Sequence, residues 1–295
     1  MNVADAVVRT LLNESNLKVS VVVATQVARE ARTRHALASA SASLFAQGLA
    51  AGALMASLQK EETRINLQLE CDGPLRGYFV DASVSGAMRG YVKNPNVEVE
   101  LAEGQFQWRA ALGNSGFISV LRDMGGEYYR SAVELTTMQL QDDLNHYFRV
   151  SEQIATRVML QLTHLGDENL GVMAGVLVQA LPDGDLKALD ALAAALPERL
   201  RAWCDAGGGE AEALLAALLP GEVPIARTDV RFECTCSKER ALNTLAAFGA
   251  DEIQEIVDTM GSTAVTCQFC GTKHEITLVD LWDLLEGLGR PQLRN

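Results

Sequence analysis

Val230-Arg-Phe232-Glu-Cys234-Thr-Cys236-Ser237, answered 30 residues later by Cys267-Gln-Phe-Cys270-Gly271, decides how the C-terminal end of this chain folds. Two close pairs of cysteines at this separation are a strong metal signal, because four thiolates arranged tetrahedrally commonly hold zinc. The Cys-x-x-Cys-Gly turn sets two sulfurs on one side of a tight loop, and its glycine accepts the backbone angles such a turn needs. Val230, Phe232 and Cys234 alternate as a strand, so the first pair arrives from a strand end. Cys234, Cys236, Cys267 and Cys270 are therefore read as the ligands of one zinc ion. His274 is of a type that can replace one ligand, but it reads better as a surface residue near the site.

Start signals for helices surround the cysteines. Ser237 is placed to cap a helix running through Phe248. Asp251 with Gln254 resembles a capping box for Glu252 to Met260, and Thr277 with Asp280 opens a helix over Leu278 to Leu285. The segment holds few large apolar residues, and a module this small usually needs a staple. Zinc supplies about 10–16 kcal/mol of apparent folding energy to such modules. A disulfide within either close pair would close a loop of three or four residues and return only about 1.5–2 kcal/mol. Oxidation of the thiolates is therefore expected to unfold the module. An extended Cys-x-Cys also separates its Cα atoms by about 6.6–7 Å, near the limit for a disulfide, and strained bonds are the reducible ones. Most four-cysteine sites only hold a fold together, so the residues alone leave open both a structural site and a redox switch.

Upstream, from Leu181-Pro182 to about Val223, the chain is dominated by Ala and Leu, interrupted by Gly207-Gly208-Gly209 and closed by Pro220-Gly221. Helix propensity is high, but alanine buries little area. This stretch reads as a helical linker that docks and is able to detach; an ordinary helix pair in the core of the first domain fits equally well. Before it, Lys18 to Ala24 reads as a strand, Gln26 to Ala36 as a helix, and the small-residue run to about Leu58 as another. Ile65, Leu67 and Leu69 alternate with polar residues as in a half-buried strand, and Asp72-Gly73-Pro74 is a turn. Further strands fit Gly77–Val80, Arg89–Val92, Gly116–Arg122, Tyr128–Leu135, Arg157–Thr163 and Gly171–Ala180, with a helix over Met138 to Arg149. The fold class is α+β: an N-terminal α+β domain over 1–180, a helical linker over 181–227 and a small C-terminal zinc-binding domain over 228–295.

The 295 residues are 48% hydrophobic, ample for a core, and carry a formal charge of 25 − 38 = −13. Phosphate backbones would repel such a chain, which argues against a nucleic-acid partner. The N-terminus shows no secretory signal. The uncharged run from Ala36 to Gln59 is long enough to span a bilayer, but its serines and glutamines mark a buried core helix. The chain reads as cytosolic with no membrane partner, and there clustered cysteines indicate metal or redox chemistry. Cys71 and Cys204 read as buried, inert thiols. His35, His146 and His164 have no partner at ligand or triad spacing. Gly207–Gly209 lacks the lysine of a phosphate loop and reads as a hinge. No Ser/His/Asp or paired-carboxylate set stands out, so no enzyme activity is expected. A thiol oxidoreductase using Cys267 and Cys270 is disfavoured, because the pair lacks a βαβ setting and has a second pair nearby.

Phe232-Glu-Cys234-Thr-Cys236-Ser237-Lys-Glu239-Arg240 followed by Cys267-Gln-Phe-Cys270 closely resembles the redox-switch domain of the thirty-three kilodalton heat-shock protein family. Asp72-Gly73-Pro74-Leu75, Arg89-Gly90 and Tyr147-Phe148-Arg-Val-Ser151-Glu152-Gln153 with Thr156 are similar to that family's N-terminal domain, in the same order and spacing. The resemblance covers nearly the whole chain. It implies a cytoplasmic, ATP-independent holdase chaperone with a substrate-binding domain, a metastable linker and a zinc switch. It further implies that the reduced, zinc-bound form is inactive and monomeric. Oxidation would pair Cys234 with Cys236 and Cys267 with Cys270, release zinc, unfold switch and linker, and yield a form, commonly dimeric, that holds unfolding client proteins. The chain departs from the family pattern at Ala155, where proline is frequent, in the segment Gly171 to Gly175, in its Ala-rich linker, and at Lys273-His274-Glu275-Ile276, which replaces an aromatic strand. None of these removes a zinc ligand.

Overall fold

The computed structural model describes residues 3–60, 63–99, 101–102, 105–165 and 169–288. The chain divides into two compact units, Met1–Glu233 and Cys234–Asn295. In order, the first contains β1 (Ala6–Leu12), β2 (Leu17–Val23), α1 (Thr25–His35), α2 (Ser39–Ala56), β3 (Arg64–Cys71), β4 (Gly77–Ser83), β5 (Ala87–Val92) and a small hairpin of β6 (Leu101–Ala102) with β7 (Gln105–Phe106). It continues with α3 (Trp108–Leu112), β8 (Gly116–Asp123), β9 (Tyr128–Glu134), α4 (Leu140–Tyr147), a π-helical turn over Phe148–Glu152, β10 (Thr156–Leu165), β11 (Asn169–Ala180), α5 (Leu186–Asp205), α6 (Ala211–Leu218), β12 (Ala226–Asp229) and β13 (Arg231–Phe232). The second unit holds α7 (Lys238–Ala246), α8 (Ala250–Met260), β14 (Thr263–Thr266), β15 (Lys273–Ile276) and α9 (Leu278–Gly287).

Two sheets organise the first unit. One runs β10-β11-β2-β1-β12 and the other β13-β5-β4-β3-β8-β9. Helix α2 packs against strands of both, and every one of its residues except Gln47 is buried. This is the uncharged run that by length and composition would also suit a membrane; here it is the core helix. Its small residues permit close approach. A Cβ on Gly48 would stand 2.5 Å from the ring of the fully buried Tyr78, and one on Gly52 2.8 Å from Val80. The i, i+4 spacing puts both glycines on the face that meets β4.

The outer face of the five-stranded sheet is covered by the Ala/Leu stretch. Leu189, Leu196 and Leu200 of α5 and Leu214, Leu215 and Leu218 of α6 join Val8, Val19, Val21, Val176 and Val178 in one buried cluster. Asp185 caps α5 by accepting from the backbone N–H groups of Lys187 and Ala188. Pro197 lies inside α5. It has no N–H for the carbonyl of Ala193, and a proline in a helix interior costs about 3 kcal/mol. Arg199 Nη1 donates to the Leu218 carbonyl at 2.8 Å, tying α5 to the end of α6.

The β10 edge is closed by side chains of α4 that imitate a neighbouring strand. Asn145 accepts from the Val158 N–H at 2.7 Å and donates to its carbonyl at 3.1 Å. One turn earlier, Gln141 accepts from the Leu160 N–H at 2.9 Å. A bare edge invites pairing with another chain, and these amides occupy it.

In the second unit, Ser237 caps α7 through the Arg240 N–H, and Thr277 with Asp280 forms a full capping box for α9. Lys238 binds the same Asp280 carboxylate at 2.6 Å. The box expected at Asp251 is absent: α8 begins at Ala250, two residues earlier than expected, from Gly249 at φ 99°, with no side-chain cap. Glycine starts the helix because that left-handed turn is one it adopts without strain. Ala241, Leu245, Ile253, Ile276, Leu281 and Leu285 make up the buried core of this unit.

Two predictions follow from the first unit. Gly48→Val drives a branched side chain into Tyr78 and is expected to destabilise the protein by about 2–3 kcal/mol, read from the denaturant midpoint. Asp5 concerns pH. Its Oδ2 accepts from the Val27 N–H at 2.7 Å, its Oδ1 has no hydrogen-bond partner among the described residues, and burial pushes its carboxyl up to about 6. The folded-state value lies above the usual one, so the stabilising contribution is complete at low pH and is lost as pH rises through about 6. Asp5→Asn should therefore raise stability by about 1–2 kcal/mol at pH 8 and leave it nearly unchanged at pH 4; equal effects at both pH values would contradict this account.

Candidate metal centre

The β14–β15 hairpin builds one half of the centre. Thr266 pairs with Lys273, and the loop between them is a tight turn. The Cys267 N–H donates to the Thr272 carbonyl at 2.8 Å, and the Gly271 N–H returns to the Cys267 carbonyl at 2.8 Å. Gly271 sits at φ 71°, the left-handed position anticipated for the glycine of Cys-x-x-Cys-Gly. Cys234 and Cys236 supply the other half, just before the Ser237 cap of α7. Arg240 braces this segment by donating to the carbonyl and the hydroxyl of Thr235.

The four sulfurs of Cys234, Cys236, Cys267 and Cys270 lie within 4.8 Å of one another. Cys234 Sγ is 3.7 Å from Cys267 Sγ, and Cys236 Sγ is 3.5 Å from Cys270 Sγ. All four are free thiols. Four bonds of about 2.3 Å to a central ion give a tetrahedral edge of about 3.8 Å, so the set has the dimensions of a tetrahedral thiolate site. These two contacts join the motifs to each other, and the sulfurs within each pair also lie within 4.8 Å.

Electrostatics set the sulfurs apart. Burial and hydrogen bonding to the neighbouring sulfurs push the Cys236 thiol far up. Cys267 also rises, chiefly through burial. Burial works against ionisation of Cys270 too, but the hydroxyl and backbone N–H of Thr272 pull it down to about 7. Thr272 Oγ1 lies 3.2 Å from Cys270 Sγ. Four thiolates this close repel one another, and a divalent cation among them removes that repulsion.

The structure therefore brings together all four cysteines singled out in the sequence. His274 is near the site, as expected, and is half-buried rather than fully exposed, with Nε2 3.3 Å from Cys236 Sγ. Strand alternation over Lys273-His274-Glu275-Ile276 carries the signal: Ile276 is buried in the core, and His274 is on the same side of β15. Cys204 is buried, and burial pushes its thiol up to about 12, as suits an inert group. Cys71 is only half-buried.

A family model described as Hsp33 protein matches residues 5–277. The chain belongs to the Hsp33 family. Among curated relatives of this Hsp33 member, a 33 kDa chaperonin of a Cyanothece species is 33% identical, covering 97% of this chain and 98% of its own. Another 33 kDa chaperonin, from a Synechococcus species, is 35% identical over 92% of this chain and 88% of its own. The crystal structure of a 33 kDa chaperonin from Thermotoga maritima superposes with a TM-score of 0.84 at 25% identity, covering 96% of this chain and 98% of that one.

Cys267→Ser leaves three thiolates and one weakly ligating hydroxyl. Zinc binding by competition with a chelator should fall by on the order of 100-fold or more, and the C-terminal unit should become easier to cleave with protease. Unchanged affinity together with unchanged cleavage would refute the four-ligand assignment.

Proposed function

We propose that this Hsp33 member is a redox-regulated, ATP-independent holdase chaperone of the cytoplasm. The observation that carries the reading is the tetrad of sulfurs within 4.8 Å, set in a unit with six buried core residues. In the reduced form Cys234, Cys236, Cys267 and Cys270 hold one zinc ion. When bound, zinc supplies charge neutralisation and a covalent cross-link between the two motifs. The chain works as an N-terminal domain over 1–180, a metastable linker over 181–227 and a redox switch over 228–295.

Activation is an oxidation of sulfur. A thiolate attacks one oxygen of a peroxide, giving a sulfenic acid and releasing hydroxide. The second thiol of the pair then displaces that oxygen as water, so each disulfide takes two electrons from the protein. Oxidised sulfurs no longer ligate metal, and the small core is then too weak to keep the unit folded. The pairing Cys234–Cys236 and Cys267–Cys270 fits disulfides that close after unfolding. In the folded unit each sulfur also has a close neighbour in the other motif, at 3.7 and 3.5 Å, so the folded geometry does not by itself favour the local pairs. In a loose chain, closing a loop of three or four residues is entropically easier than closing one of more than thirty by about 2 kcal/mol.

The linker provides apolar surface in proportion. Lifting α5 and α6 bares their leucines and the valine face of the sheet beneath, a surface suited to unfolding client proteins. The interior proline of α5 and the hinge at Gly207 and Gly208, both at positive φ, weaken the hold. The activated form is expected to be a dimer and the reduced form a monomer, with no nucleic-acid or membrane partner.

Light scattering of a heat-unfolding client tests the reading without ATP. Protein treated with warm peroxide should suppress scattering, and reduced, zinc-loaded protein should not. Equal suppression by both would discard the switch, and suppression by neither would leave a purely structural zinc module. Peptide mapping of the oxidised chain should show the two local disulfides.

A further inference from the structure

Cys236 touches a residue outside the tetrad. His274 Nε2 lies 3.3 Å from Cys236 Sγ, while the ligand atoms mutually within 4.8 Å are the four sulfurs. The histidine is thus adjacent to one ligand and outside the set. Its position is fixed by the β14–β15 register, in which His274 stands opposite Val265, and by strand alternation with the buried Ile276.

We propose that His274 is a positioning residue that donates an N–H hydrogen bond to the metal-bound Cys236 thiolate and makes that sulfur less reactive than its neighbours. The inference rests on the zinc site proposed above. A thiolate ligand has no proton to give, so at 3.3 Å the imidazole must be the donor. Hydrogen bonds from neighbouring groups orient ligands and tune them, and a bond to a charged acceptor is stronger than one between neutral groups. A donated proton withdraws electron density from sulfur and slows its attack on any electrophile. The Cys270 thiol donates to the Thr272 hydroxyl at 3.2 Å, and once that sulfur is a thiolate the hydroxyl turns to donate in the same way. Each motif thus has one sulfur held by a side chain of the hairpin.

The test compares cysteines within one molecule. Full-length, zinc-loaded protein is treated with iodoacetamide, and modification of each cysteine is followed by mass spectrometry. In His274→Phe the ratio of Cys236 to Cys234 modification should rise about tenfold. In His274→Gln, whose amide N–H still donates, most of the wild-type ratio should return. A rise in the Phe variant without recovery in the Gln variant would mark a packing effect and overturn the proposal. An unmoved ratio with zinc still bound would overturn it too. X-ray absorption showing nitrogen ligation in the wild-type protein would replace the donor role with a ligand role. A wild-type chain that takes up no zinc overturns the zinc reading and this proposal together, whereas zinc retained with an unmoved ratio overturns this proposal alone.

Discussion

Four sulfurs confined within 4.8 Å impose the constraint on which the C-terminal unit depends. As thiolates they repel one another. As thiols they give little in return for the turn and the braced segment that assemble them. Among the described residues only six side chains of this unit form the buried apolar cluster, two of them isoleucine and one only alanine, with partly buried residues around them, a small core for three helices and a hairpin. On the proposed reading, the stability of the unit then depends on the state of a few sulfur atoms. A larger core would make the unit indifferent to its cysteines, which is why a core this small suits the switch proposed above.

The first unit solves a different problem. It must keep a large apolar interior while presenting sheet edges and one sheet face that are covered by other elements. The central helix α2 fills the space against both sheets with alanine, serine and glycine, so the strands approach it closely. The backbone groups of β10 are met by Asn145 and Gln141. The outer face of the five-stranded sheet is met by α5 and α6. The amides of α4 form directed hydrogen bonds with the strand, whereas α5 and α6 cover the face mainly through leucine packing, which has no directional bond to lose.

Much of this was legible in the chain itself, for identifiable reasons. The candidate metal centre announces itself because its cysteines come in close pairs. The α2 helix shows in its uncharged run, and β3 in the alternation of Ile65, Leu67 and Leu69. Ser237 and Thr277 cap helices as their side chains suggest. Asp251 misled because glycine at 249 already starts the turn. β1 was not anticipated: Ala6, Val7 and Val8 are buried in succession, so no alternation marks them. Contacts between the two cysteine motifs, and the approach of His274 to Cys236, depend on how the hairpin meets the segment before α7. One clue did exist, the two-residue spacing from His274 to Ile276.

Pro197 has a consequence for what α5 becomes away from its sheet. The residue divides the helix into pieces of about three turns and two turns. A peptide helix shorter than roughly 12–15 residues is marginal in water, because nucleation costs more than a few bonds return. Each piece is marginal by itself, and the proline penalises continuation of one into the other. Lifted off the sheet as proposed above, the segment would keep little helix and would be closer to a flexible string of leucines and alanines. Such a string can follow an irregular apolar contour that a rigid rod would touch at only a few points.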